Sequence, residues 1–418
     1  MGVPFHERKV TMRVTRSSHY RWYILTLAMM VYFFIAGMAR MCMPVLFEEI
    51  SLDLGLSMVA IGAVWGMDPL AGVFIGLPGG LLADRFGVKR TLMVVCFMSG
   101  VFGAMRGLSV SFVSMAATMF LFGLMAATMP SVVPKTTAVW FGGRRLGLAN
   151  VLLNVAWSVG TMVATMFSAT VFSPLLGGWR NVLFLYGAPC IILSLLWFIT
   201  GREPEGAELL ETTASKVPFQ QALSRVIHIK HVWIIGVVML TTFGSSMGLF
   251  GYLPLYLREI GWTPASADSA ITILTGVSCI GITPIVLLSD RLGSRKGMLV
   301  ISIIIMTITL GLLPLVNGPR VWVLLAINGF MRGGALALFI VMIFEMEGVV
   351  SAYSGTALGL ANSLGMLGAF FSPPLGNSLT VFNPGLPLIF WALLSSLGLP
   401  FFFFVKERKG KEVREQLN

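Results

Sequence analysis

Long apolar stretches follow one another along this chain with only short charged or Gly/Pro-rich connections between them. Cut at charges and turn residues, the sequence yields twelve blocks, at about 22–47, 57–83, 91–105, 111–133, 146–172, 182–200, 232–257, 269–289, 297–316, 321–344, 352–377 and 386–405. Each is near the roughly 20 residues that a helix needs to cross a ~30 Å hydrocarbon layer. Within the blocks the hydrophobic residues show little 3.6-residue alternation, so the helices are apolar on most faces and suited to lipid. With 56% hydrophobic and 11% charged residues among 418, and a mean hydropathy of +0.87, a soluble fold could not bury the apolar surface. The expected fold class is an all-α membrane protein with twelve transmembrane helices.

The net charge of +11 would suit a nucleic-acid binder if it were clustered, but it is not. Arg106, Arg180, Arg258 and Arg320 fall in alternate connections, and Arg40 and Arg332 fall inside blocks. All the other basic residues occupy the two ends and the remaining connections. By the positive-inside rule both termini are cytoplasmic. The opening MGVPFHERKVTMR precedes a block too long for a signal-peptide core and no small-residue cleavage pattern, so it reads as a cytoplasmic tail. Cys42, Cys96, Cys190 and Cys279 all lie within blocks and read as buried thiols, with no disulfide framework or metal site.

The widest connection, 201–231, is acidic first and then amphipathic over Phe219 to Ile227, and it separates six blocks from six. The expected organisation is a tail (1–21), a first six-helix bundle (22–200), a central cytoplasmic loop (201–231), a second bundle (232–405) and a C-terminal tail (406–418). Internal repetition supports it. MPVLFEEI at 43–50 matches LPLYLREI at 253–260, ADRFGVKR at 83–90 matches SDRLGSRK at 289–296, and LGLAN at 146–150 recurs at 358–362. The matches keep their order and nearly their spacing, as a parallel repeat of two pseudo-symmetric bundles requires.

GLLADRFGVKR at 80–90 resembles the G-x-x-x-D-R/K-x-G-x-R/K-R/K signature of the major facilitator superfamily loop between spans two and three. SDRLGSRK repeats it between spans eight and nine, with Val286 in place of the leading glycine. The resemblance covers essentially the whole chain. It implies a gating loop in each half, formed by Gly80, Asp84, Arg85, Gly87, Lys89 and Arg90 and by Asp290, Arg291, Gly293 and Arg295, which latches the halves on the cytoplasmic side. The same residues would also serve as a topogenic positive cluster. In that family, spans one, four, seven and ten line a central cavity. GWRNVLFLYG and PVLFEEISLDLGLS are similar to stretches of the monocarboxylate and anion:cation symporter branches.

Three charges break the repeat. At the local spacing Arg40 corresponds to Phe250, Arg332 to Ala126 and Asp68 to Leu274. Arg332 sits about 16 Å along its block from the outer end at 1.5 Å per residue, and Arg40 about 10 Å. A guanidinium at such depth costs about 2.5 to 3.5 kcal/mol and needs a polar setting. The expected setting is a shared aqueous cavity in which Arg40 and Arg332, with Asn328 one turn from the latter, clamp a carboxylate. Asp68, the carboxylate deepest in a block, is either a proton carrier or the structural partner of Arg40, since Asp68, Gly72, Gly76 and Gly80 also form a small-residue packing stripe. Phe, Trp and Met are too numerous for a pocket to be read from them.

These features lead to an expected secondary transporter that takes up a small organic anion in symport with protons, as a monomer in the plasma membrane (the inner membrane in a prokaryote). Proton-coupled efflux of drugs or metabolites, nitrate or nitrite transport, and a non-transporting sensor or assembly factor on the same scaffold are the alternatives. An enzyme is not expected, because no nucleophile, P-loop, metal or dinucleotide signature occurs in the loops, and no cofactor is expected either.

Overall fold

Each apolar block winds into helix, and most helices run past the block into the charged flanks. The computed structural model describes residues 18–76, 82, 85–141, 144–201, 219–346, 349 and 353–405. Eleven helices among them are long and apolar enough to cross a membrane: α1 (His19–Leu54), α2 (Met58–Ile75), α3 (Val88–Leu108), α4 (Phe112–Trp140), α5 (Arg145–Leu176), α6 (Trp179–Thr200), α7 (Lys230–Glu259), α8 (Pro264–Leu292), α9 (Arg295–Leu315), α10 (Pro319–Phe344) and α12 (Leu386–Phe404). The block at 352–377 also forms a helix, α11 (Ser354–Asn377), but it does not meet that apolar criterion. Its Gly, Ser, Asn and Pro residues lower its hydropathy, and it can be less apolar because it is packed between α2 and α7. The amphipathic helix expected before α7 is present at Phe219–Ile227. Residues 1–17, the C-terminal tail and most of the central loop lie outside the described residues, and the last residues of the expected N-terminal tail are helical from Ser18.

Packing within each half follows the repeat. In the first half α1 packs on α5, α2 on α4 and α3 on α6; in the second, α7 packs on α11, α8 on α10 and α9 on α12. Small residues make these contacts close, as expected where helices associate without a hydrophobic driving force. A Cβ on Gly160 would sit 2.3 Å from the Phe33 carbonyl oxygen, joining α5 to α1, and one on Gly333 would sit 1.9 Å from the Ser278 carbonyl oxygen, joining α10 to α8. The two halves meet through a second symmetric set, α2 on α11 and α5 on α8. Side chains such as Phe198, Ile199, Leu287, Leu288 and Phe404 are exposed on the flanks, where lipid would cover them.

The halves are drawn together at the end where α1 turns into α2 and α7 into α8. There the Arg258 guanidinium on α7 pairs with Glu48 on α1 and with the buried Asp268 on α8, and it donates to the Val45 carbonyl at 3.3 Å. Trp65 Nε1 donates to the Met247 carbonyl at 3.0 Å, and Asn377 Nδ2 to the Met58 carbonyl at 2.9 Å. Glu48 and Arg258 stand at matching positions of MPVLFEEI and LPLYLREI. A charge reversal between repeat mates has thus become an ion pair across the pseudo-symmetry axis.

Arg106 corrects the sequence reading. Expected in an outer connection, it is fully buried on the last turn of α3. Its Nη2 donates to the Ala39 carbonyl at 2.7 Å and its Nε to the Gly103 carbonyl at 3.1 Å, while its guanidinium lies 4.2 Å from the centre of the Phe122 ring. Carbonyls and a ring face replace water here, so the charge needs no loop.

Candidate functional site

A cavity of about 140 Å³ lies where the two halves meet, and both Arg40 and Arg332 line it. Residues 32–39 of α1 are wound as a π-helix, and Arg40 caps that segment through N–H contacts to the Gly37 and Ile35 carbonyls. Such a segment carries an extra residue per turn and re-aims the side chains after it, which is why π turns recur at functional positions. Gly37 faces α5, where a Cβ would meet Gly160 at 2.8 Å, and Arg106 holds the Ala39 carbonyl. The backbone beside Arg40 is therefore fixed on two sides.

Arg40 does not reach the cavity as a free cation. Its Nε donates to Asp68 Oδ2 at 2.7 Å, and Nη2 bonds the same oxygen. The Asp68 side chain is almost fully buried, whereas that of Arg40 keeps 24% exposure. Asp68 is locked in place by α4, since a Cβ on Gly123 would lie 2.8 Å from its Cα. The pair is neutral overall, and each partner removes the cost of burying the other.

Arg332 is held differently. Gly329 and Gly333 press α10 onto α8, turning the intervening face toward the cavity. The guanidinium lies 4.6 Å from the centre of the Phe250 ring. Nε and Nη2 are buried with no hydrogen-bond partner, and no carboxylate among the described residues forms an ion pair with Arg332. A ring face compensates only part of the desolvation of a guanidinium, so two N–H groups remain to be satisfied by an acceptor.

The rest of the lining is aromatic and apolar. Trp65 and Pro69 come from α2, Trp157 from α5 and Phe243 from α7, and Met41, Met247 and Met366 fill between them. Ser246 carries the one hydroxyl of the lining. Of the helices the resemblance assigned to the cavity, α1, α7 and α10 contribute, but α4 does not. Its position equivalent to Arg332 is Ala126, which has no reach, while α2, α5 and α11 contribute in its place.

Asn328 is not brought to the site. Its amide is buried and donates to the Met306 carbonyl at 3.1 Å and to Thr309 Oγ1 at 2.9 Å, tying α10 to α9. Of the first gating loop, Gly80 and Asp84 lie outside the described residues. Arg85 stacks on Phe86, 5.5 Å from the ring centre, Gly87 leads into α3 with φ 79°, and Lys89 and Arg90 follow on its first turn. In the second loop Asp290 pairs with Arg295, whose Nε lies 3.3 Å from Glu345 Oε2 at the end of α10; Gly293 ends α8 with φ 66°, and Arg291 is exposed. A larger cavity of about 1140 Å³ beside Arg85, Lys89 and Arg90 is lined by the first half alone and opens past the exposed Phe198, so it is not a space between halves. All four cysteines are free, three of them buried. Among the described residues no cluster of three or more His, Cys, Asp or Glu side chains could hold a metal ion.

Residues 28–278 and 256–417 match the sequence model of the Major Facilitator Superfamily. The chain belongs to the Major Facilitator Superfamily. Membership covers both halves and accounts for the paired helix packing described above. Among superfamily relatives, a protein of Bacillus subtilis named "Probable galactarate/D-glucarate transporter" is 30% identical over 197 residues, 44% of this chain and 41% of that one. Its Escherichia coli namesake is 28% identical over 203 residues, 46% of this chain and 43% of that one. The chain thus spans less than half the length of these two relatives. The cis,cis-muconate transport protein of Acinetobacter baylyi is 24% identical over 375 residues, 86% of this chain and 88% of that protein. A solved bacterial homologue of the human lysosomal transporter Spinster, inward-facing and occupied, superposes with a TM-score of 0.76 at 16% identity over 93% of this chain and 97% of that one. At that identity the superfamily fold is what is shared.

Proposed function

We propose that this chain is a secondary transporter that carries a small organic anion, a carboxylate, across the membrane by alternating access, in uptake coupled to symport of protons. The observation that carries the reading is Arg332, a buried guanidinium with two N–H groups unmatched, lining a cavity at the junction of the halves. A carboxylate placed there would accept both bonds in parallel. Superfamily relatives named for galactarate and glucarate, muconate and 4-hydroxybenzoate all act on carboxylates.

In this reading α11 serves as the twelfth span and both termini are cytoplasmic. Asp68 provides the coupling. While ionised it holds Arg40, and the anion binds at Arg332 alone; protonation of Asp68 after the anion is bound loosens its grip on Arg40 and lets α1 and α2 move apart. Proton and anion therefore cross together, as symport requires. The ion pair of Arg258 with Glu48 closes the outer end, and the loops at 80–90 and 290–296 latch the cytoplasmic end in the opposite state. The protein works as a monomer in the plasma membrane, the inner membrane in a bacterium.

Uptake of a panel of radiolabelled carboxylates into proteoliposomes, with and without an inwardly directed proton gradient, tests this. Gradient-stimulated accumulation of a carboxylate supports it. Uptake of none of them, or drug extrusion in its place, would overturn it.

A further inference from the structure

The lining of the cavity carries more information than the presence of a cation, and it bears on which carboxylates fit. Of the two guanidinium groups, Arg40 is already balanced by Asp68, which accepts from both Nε and Nη2. Only Arg332 contributes uncompensated charge, so the cavity holds one net positive charge. A second carboxylate on the same ligand would enter a small, mostly apolar space with no cation to meet it.

Hydroxyl groups fare no better. Ser246 supplies the single hydroxyl of the lining, and the Trp65 indole N–H is already committed to the Met247 carbonyl. Beyond Ser246 and the Trp157 indole N–H, the hydroxyls of a polyhydroxylated acid would lose water without gaining a partner. The walls instead offer ring faces, from Trp65, Trp157, Phe243 and Phe250. Phe250 lies under the Arg332 guanidinium, so a carboxylate bound to Arg332 holds its body against these rings. Met41, Met247 and Met366 close the remaining sides with thioether chains that re-pack at little cost and so tolerate ring substituents.

The geometry points to a flat, hydroxyl-poor monocarboxylate, an aromatic or conjugated monoanion, as the substrate class, with Arg332 reading the carboxylate, the four aromatic residues reading the body, and Asp68 excluding dianions by cancelling Arg40. This rests on the transport reading above, and narrows it against the sugar diacids named for the Bacillus subtilis and Escherichia coli relatives.

Titration calorimetry of the full-length protein in lipid nanodiscs with benzoate, terephthalate and glucarate tests it. Benzoate is expected to bind about tenfold or more tightly than either dianion, the scale on which unmatched polar groups are rejected by a pocket. The Asp68→Asn protein, with Arg40 uncompensated, is expected to raise the affinity for terephthalate relative to benzoate by a similar factor. Glucarate or terephthalate bound as tightly as benzoate by the unaltered protein would overturn the inference while leaving the carboxylate reading in place. An unchanged terephthalate-to-benzoate ratio in Asp68→Asn would overturn the part assigned to Asp68. Binding of none of the three, with no competition by other carboxylates, would remove the transport reading and this one with it.

Discussion

The Arg332 guanidinium lies over the ring of Phe250, and Phe250 occupies in the second half the place that Arg40 occupies in the first. The repeat thus puts matching positions of the two halves beside one cavity, one bearing a charge and the other a ring. Phe250→Ala should weaken carboxylate affinity by about five- to thirtyfold, since a desolvated cation–π contact contributes up to about 2 kcal/mol and ring packing adds to it. Binding measured for Phe250→Ala beside Phe250→Tyr, which keeps the ring, checks it; equal loss in both would show that the ring face is not what matters.

The two arginines should respond differently to removal. Sequence alone leads one to expect that Arg40→Ala and Arg332→Ala both abolish uptake and leave folding intact. The ion pair changes the first half of that expectation. Arg40→Ala leaves Asp68 buried and unpaired, at a cost of about 3 to 5 kcal/mol if it stays ionised, so thermal stability should fall as well. Arg40→Met with Asp68→Leu should recover much of that stability without recovering uptake. Detergent thermal melts of the two single and one double variant decide the matter.

Arg106 should behave as a support for α1 rather than as a ligand. Arg106→Ala leaves the Ala39 carbonyl without its donor and a void against Phe122, and should lower stability by about 2 to 4 kcal/mol. Arg106→Lys should rescue little, because an ammonium cannot reproduce the planar fork that reaches the Ala39 and Gly103 carbonyls together. A melt of the lysine variant matching the unaltered protein would contradict this.

On the proposal that the Arg258–Glu48 pair closes the outer end, Glu48→Gln should shift the population toward the outward-open state about threefold to fivefold. The modest size reflects the partial exposure of Glu48, while Arg258 keeps Asp268 as its partner. Spin labels at Leu52→Cys and Thr263→Cys, in a background lacking the native cysteines, would report a longer distance component. No change in the distance distribution would mean that Glu48 does not hold the gate.

Close helix contacts should be intolerant of added volume. Gly333→Ala places a methyl group 1.9 Å from the Ser278 carbonyl oxygen, a separation that backbone must yield to relieve. Stability should drop by about 1 to 3 kcal/mol, and Arg332 on the preceding position should lose register with the cavity. Gly147→Ala, where nothing lies within 4 Å, is the control and should be neutral.

Much of the fold was legible because lipid imposes a blunt constraint. A helix that faces acyl chains must be apolar for its whole crossing, so twelve blocks were legible, and eleven of the helices they form are long and apolar enough to cross a membrane. α11 is least apolar because α2 and α7 shield it, and its sheltered position is a tertiary fact. Within the site, Arg40, Asp68 and Arg332 stood out as charges that the repeat did not supply; the two arginines line one cavity and Asp68 pairs with Arg40 behind it. Asn328 shows the limit: one turn from Arg332, it turns to Thr309 because α9 offers acceptors there. Arg106 was assigned to a connection because it follows the apolar block, and its burial rests on the Ala39 and Gly103 carbonyls and the Phe122 ring, contacts that no local pattern shows. The aromatic lining was beyond the sequence altogether. Among 30 Phe and 10 Trp, nothing local distinguishes Trp157 or Phe243 from side chains that face lipid.

The central claim is that Arg332 receives the anion, and uptake kinetics of a radiolabelled monocarboxylate in proteoliposomes of unaltered and Arg332→Ala protein test it most directly. The account predicts saturable uptake by the former and a loss of about thirtyfold or more in the latter, at equal reconstitution and equal melting behaviour. Saturable uptake by Arg332→Ala with an unchanged KM would contradict it.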